Sequence, residues 1–150
     1  MPTTPKPTER SNIASLDDVV IVPPNHLPEC WQYAGPLIQR MLKRGRGEYV
    51  LHDIFEAVLE GRKEMWLGLQ DGKVMACLLG QVVRHPRYSV YLIFGFAADN
   101  ARHWINNHLD KIEAHARAHN CAFLEEWGRD GWERALPDWT KAHVVMRKPL

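Results

Sequence analysis

Residues 92 to 109 read Leu92-Ile93-Phe94-Gly95-Phe96-Ala97-Ala98-Asp99-Asn100-Ala101-Arg102-His103-Trp104-Ile105-Asn106-Asn107-His108-Leu109. The stretch begins inside a run, Ser89 to Phe96, that is apolar on both faces, as a strand covered on both sides should be. Asp99 or Asn100 then caps a long helix. Ala101, Ile105, Leu109, Ile112 and Ala116 fall along one face of it at helical spacing. Cys121 to Trp127 supplies the next strand. A buried strand, an amphipathic helix and a second strand in succession predict an α/β fold built on a mixed α+β sheet.

Upstream lies the clearest local signal. Met65 to Leu69 and Val74 to Val83 flank Gln70-Asp71-Gly72-Lys73, and Asp-Gly between apolar runs predicts a type I′ hairpin, whose two central residues need positive φ. Before it, Val19 to Val22 is a short β-branched strand stopped by Pro23 and Pro24. Glu29 to Lys43 follows with helical periodicity, and Pro36 is expected to kink or restart that helix. A second helix from Asp53 to Glu60 is read as capped by Asp53 and ended by Gly61. Downstream, Asp130 caps a short helix stopped by Pro137, with Trp132 and Leu136 packing inward, and Ala142 to Met146 is read as a final strand. The predicted order is β-α-α-β-β-β-α-β-α-β in a single domain over residues 16–150. Six of the ten prolines fall in the first 28 residues. Residues 1–15 are read as an extended proline-rich arm.

The 150 residues suit one domain with a sizeable core. A net charge of +1, from 19 basic and 18 acidic residues, gives no field to attract a polyanion, so nucleic acid is not implied. No apolar run approaches the roughly 20 residues of a bilayer span, and Met1 is not followed by an apolar leader, so neither membrane nor secretion is expected. Cys30, Cys77 and Cys121 have neither disulfide nor zinc-ligand spacing and read as reduced thiols.

This order of elements, in a chain of this length, resembles the GNAT superfamily of N-acetyltransferases over roughly residues 16 to 150. The resemblance implies that the fourth strand and the helix after it bind the pyrophosphate of acetyl-CoA, through a Gln/Arg-x-x-Gly-x-Gly/Ala loop whose backbone N–H groups face the phosphates. The matching stretch here is Phe96-Ala97-Ala98-Asp99-Asn100-Ala101, which has no glycine pair. Asp99 also puts a carboxylate where the pyrophosphate would sit. Many members use a tyrosine near the last helix as general acid, and no tyrosine follows Tyr91 in this chain. Glu125 and Glu126 end the fifth strand, where one of the two could face the cleft as a base. Exposed strand-end glutamates are the commoner explanation.

The run Glu125-Glu126-Trp127-Gly128-Arg129-Asp130-Gly131-Trp132, and the tail Met146-Arg147-Lys148-Pro149-Leu150, are similar to GNAT-like proteins encoded by tailed bacteriophages. That likeness implies a phage genome and a protein made in a host cytoplasm, which either modifies a host target or sits in the virion. The function expected on these grounds is a non-catalytic GNAT-like scaffold, a virion structural or assembly protein. It would hold other virion proteins through Pro2, Pro5 and Pro7 of the arm and through Trp139, with no cofactor, metal or catalytic residue. The alternative is an active N-acyltransferase that takes acetyl-CoA on the backbone amides of Phe96, Ala97, Ala98, Asp99 and Asn100, with Glu125 or Glu126 as base.

Two further clusters have plainer explanations. His103, His108, His115 and His119 lie on or beside one helix; His115 and His119, at i and i+4 with Cys121 near, have spacing that could share a metal, but read as a surface or interface set. Arg40, Lys43, Arg44 and Arg46 precede or flank Gly45 and Gly47, where cations suit a helix C-terminus. Cys77 and Cys121 sit in apolar strands and read as core. Trp127, Trp132 and Trp139 form an aromatic group near the C-terminus, read as packing with an interface role open for Trp139.

Overall fold

The computed structural model describes residues 16–127 and 132–150. Five strands form one sheet in the order β1 (Asp17–Ile21), β2 (Glu64–Gln70), β3 (Lys73–Arg84), β4 (Ser89–Ala98) and β5 (Cys121–Glu126). Neighbours are antiparallel except β4 and β5, which are parallel. Helices α1 (Leu27–Lys43) and α2 (Leu51–Leu59) connect β1 to β2. Helix α3 (Ala101–Ala118) makes the crossover between the parallel pair, and a single turn, α4 (Trp132–Ala135), follows β5. The hairpin forms where Asp-Gly places it: Asp71 has φ 50° and Gly72 φ 79°.

Strand alternation sorts the core onto two faces. Met65 and Leu67 of β2, Cys77 and Leu79 of β3 and Ala97 of β4 pack under α1 and α2, against Ile38, Met41, Ile54 and Val58. Trp66, Leu78, Tyr91 and Ile93 point the other way, to Ile112 and Ala116 of α3. Two glycines make the second face possible. A Cβ on Gly80 would lie 2.3 Å from the Tyr91 hydroxyl, and one on Gly68 would lie 2.8 Å from the Trp104 indole.

Three expectations are corrected. Pro36 does not restart the helix, since α1 runs through it from Leu27 to Lys43; Pro36 lies on the exposed side, where water can serve the carbonyl its ring displaces. Asp53 is the third residue of α2 rather than its cap. Val50 caps, and its N–H donates to Asp53 Oδ2 at 2.8 Å. Ala142 to Met146 form no strand: Val144, Val145 and Met146 are exposed, and β-branched content makes a strand only where a ladder partner exists. The arm over residues 1–15 and the Asp130 cap lie outside the described residues.

Candidate functional site

The strand-to-helix stretch holds an irregularity that sequence periodicity did not reveal. On β3, Leu79 pairs with Gly95 and Gly80 with Ile93, so Phe94 is an extra residue, a bulge in β4. Ile93 and Phe96 therefore share the α3 face, while Phe94 and Ala97 share the other. Gly95 sits beside the bulge because α1 presses on it there; a Cβ would come within 2.8 Å of Met41 Sδ. The shared register of β4 and β5 ends at the same level, with Ile93 opposite Glu126, while β4 continues to Ala98. Bulges bend a strand and increase its twist, and from here β4 runs on past the last residue of β5.

Beyond that level lies the turn into α3. Asn100 is the N-cap residue, with no side-chain hydrogen bond to the helix, so the donors of the first turn have no side-chain cap. Asp99 is 72% exposed in its side chain and does not stand alone. Arg40 reaches over from α1, donating from Nη1 to Asp99 Oδ1 at 2.8 Å and from Nη2 to the carbonyl of Ala98 at 3.4 Å. One expectation is corrected: Arg40 crosses to β4 instead of serving the end of its own helix, and the Asp99 carboxylate at the turn is charge-compensated by it. Nothing in the local sequence of either residue signals the pair, because 59 positions separate them.

The two glutamates part as alternation requires. Glu126 lines an apolar cavity of about 60 Å³ between the sheet and α3, together with Ile93, Phe96, Trp104, His108 and Trp139. Glu125 is not among its lining residues. Trp139 is partly buried against the α3-side core, so its visible contacts lie within the chain. Pro2, Pro5 and Pro7 are outside the described residues.

Tyr91 belongs to a different device at the other end of β4. It is fully buried and accepts from Trp66 Nε1 at 2.9 Å while its hydroxyl donates to Glu64 Oε1 at 3.0 Å. His115 Nε2 meets the same carboxylate at 2.9 Å. Burial drives the phenol's pKa far up, so it holds its proton. The His119 ring lies 4.2 Å from that of His115 and donates from Nδ1 to the carbonyl of His115 at 2.9 Å. His103 and His108 converge on Asp17, a grouping that spacing along α3 alone did not show.

Lys63 lies under the bulge on the α1/α2 face, 8% exposed. Its Nζ donates to Gln81 Oε1 and stands 3.9 Å from the centre of the Phe94 ring. Burial, with Arg62 adding, lowers its pKa. Burial raises the thiols of Cys30, Cys77 and Cys121, which keeps them protonated and unreactive.

At the level of sequence, no family model and no curated protein matches the chain. Solved structures do. The aminoglycoside N-acetyltransferase AAC(6')-Iy in complex with CoA superposes with a TM-score of 0.66 at 13% identity, over 92% of this chain and 97% of that one. An aminoglycoside acetyltransferase, HMB0005, from an uncultured soil metagenomic sample gives 0.65 at 17%, over 90% and 99%. The ribosomal-protein-alanine N-acetyltransferase of Brucella melitensis biovar Abortus 2308 gives 0.60 at 14%, over 89% and 100%. These three carry acetyltransferase names, and nothing in their names points to a phage. Likeness at such identities speaks for architecture alone, and on it the chain has the GNAT fold.

Proposed function

We propose that this protein is an acyl-CoA-dependent N-acyltransferase whose diphosphate site is built around Arg40 instead of a glycine loop. The observation that carries the reading is the Arg40 guanidinium lying across the β4–α3 turn, held there by Asp99. An exposed ion pair is worth only about 0–1 kcal/mol, so an incoming diphosphate can displace Asp99 at little cost and take both Arg40 and the uncapped N–H groups of α3. β5 ends at Glu126 while β4 continues to Ala98, and the acyl-bearing arm would run along that last stretch of β4 toward Glu126.

Glu126 is the carboxylate at the cavity and serves as base. It takes a proton from the attacking amine as the new N–C bond forms at the thioester carbonyl and the C–S bond breaks. No tyrosine beyond Tyr91 is present to protonate the leaving thiolate, so solvent supplies that proton. The acetyltransferase names of the structural neighbours favour this reading over the virion scaffold.

Calorimetric titration with acetyl-CoA tests it. Binding should weaken roughly ten- to a hundred-fold in Arg40→Ala and tighten in Asp99→Asn. Glu126→Gln should leave binding intact and lower turnover by about a hundred- to ten-thousand-fold. Absence of any binding at millimolar acetyl-CoA overturns the proposal and returns the chain to a non-catalytic scaffold.

A further inference from the structure

We propose that Asp17, His103 and His108 form a binding site for one divalent transition-metal ion, Zn²⁺ in the first instance, which clasps β1 to α3. The Nε2 atoms of both imidazoles point at one carboxylate oxygen, Asp17 Oδ2, at 2.5 and 2.9 Å. All three ligand atoms lie within 4.8 Å of one another. The other carboxylate oxygen, Oδ1, is held by Gln70 Nε2 at 3.2 Å, which fixes the orientation of the group.

Zinc takes imidazole nitrogen and carboxylate oxygen at about 2.0–2.2 Å, so the edges of its tetrahedron are roughly 3.3 Å. Two edges stand at 2.5 and 2.9 Å and the third is within 4.8 Å, so a retreat of Asp17 by less than about one ångström brings the first two to that length. In the loaded site each ring carries its proton on Nδ1 and gives Nε2 to the metal. For His103 this gives up only a long 3.3 Å contact from Asn107 Nδ2, while the 2.8 Å bond from Asn107 to the carbonyl of His103 stays. With neutral rings the ligand set carries a single negative charge, which a dication more than balances. Two imidazoles and a carboxylate suit zinc and its neighbours rather than calcium or magnesium, which prefer oxygen throughout.

The side chains of Asp17, His108 and His103 are 13%, 16% and 29% exposed, so an ion can enter and water can fill the fourth position. His108 also lines the apolar cavity beside Glu126, so the site borders the cleft without sharing the carboxylate proposed as base.

The test uses the full chain, stripped with chelator and titrated with ZnCl₂ by calorimetry with a competing chelator. One ion per chain at micromolar or tighter affinity, with a rise in Tm, is expected. His103→Asn and His108→Asn should each weaken binding about a hundred-fold or more, whereas His119→Asn should leave it unchanged. Circular dichroism shows whether each variant is folded. X-ray absorption of the zinc-loaded wild-type chain gives a readout that needs no variant, and a shell of nitrogen and oxygen scatterers alone is expected. No stoichiometric binding, wild-type affinity in both histidine variants, or a sulfur scatterer each overturns the site.

Discussion

The two faces of the sheet are closed by different means. Under α1 and α2, aliphatic side chains from both layers interdigitate, with Leu27, Ile38, Ile54 and Leu79 wholly buried. Under α3, a helix of 18 residues buries only Trp104, Ile112 and Ala116, and a cavity remains beside them. Polar clasps hold what apolar area alone would hold weakly: Asp17 with His103 and His108 toward the start of the helix, Glu64 with His115 and Tyr91 toward its end. The difference teaches where this molecule can afford ligand space. The first face carries stability, and the second trades dense packing for room and titratable groups.

The largest test of this contrast is truncation on each face. Ile38→Ala should cost about 3–4 kcal/mol, whereas Ile112→Ala, already bordering a void, should cost nearer 2 kcal/mol. Denaturant unfolding measures both, and equal losses would break the contrast. Next in size is Tyr91→Phe, which deprives the Trp66 N–H and the Glu64 carboxylate of a partner and should cost about 1–3 kcal/mol. A neutral result would mean that the clasp contributes nothing.

The smallest effect is a pH dependence. Asp17 is drawn from its ordinary 3.8 to about 2, chiefly by the hydrogen bond from His108 and against the opposing pull of burial, with His103 and Gln70 adding. A depressed carboxylate stabilises the fold above its unfolded value and loses that contribution as pH falls. The stability gap between wild type and Asp17→Asn should therefore be full above pH 3.8 and close as pH falls toward 2. A gap that stays constant across that range would remove Asp17 from the second face's account.

Much of the first face was legible in the sequence, because burial there is periodic and local. The Asp71-Gly72 turn, the apolar stripes of α1 and α2 and the strand running into α3 each announce themselves within a dozen residues. What escaped depends on partners far away in the chain. Ala142 to Met146 has strand composition but gains no ladder. Arg40 looks like a helix-end cation until the fold brings Asp99 beside it. His103 and His108 are five apart on α3, and only β1 supplies the carboxylate that unites them. The fold family could be read from element order, whereas the site could not, since its charges meet only in three dimensions.

Phe94 has a consequence that reaches past its own position. Strand side chains obey a parity rule, odd residues to one layer and even to the other, and one inserted residue resets the count. Deleting Phe94 would restore strict alternation from Ser89 to Ala98 and leave Phe96 and Ala97 in the layers they occupy now. Flattening the bulge with all ten residues kept would do the opposite: Phe96 would enter the closely filled layer where Ala97 now sits, and Ala97 would replace a ring at the cavity wall. The bulge, more than the chemistry of any one residue, decides which layer the end of β4 serves.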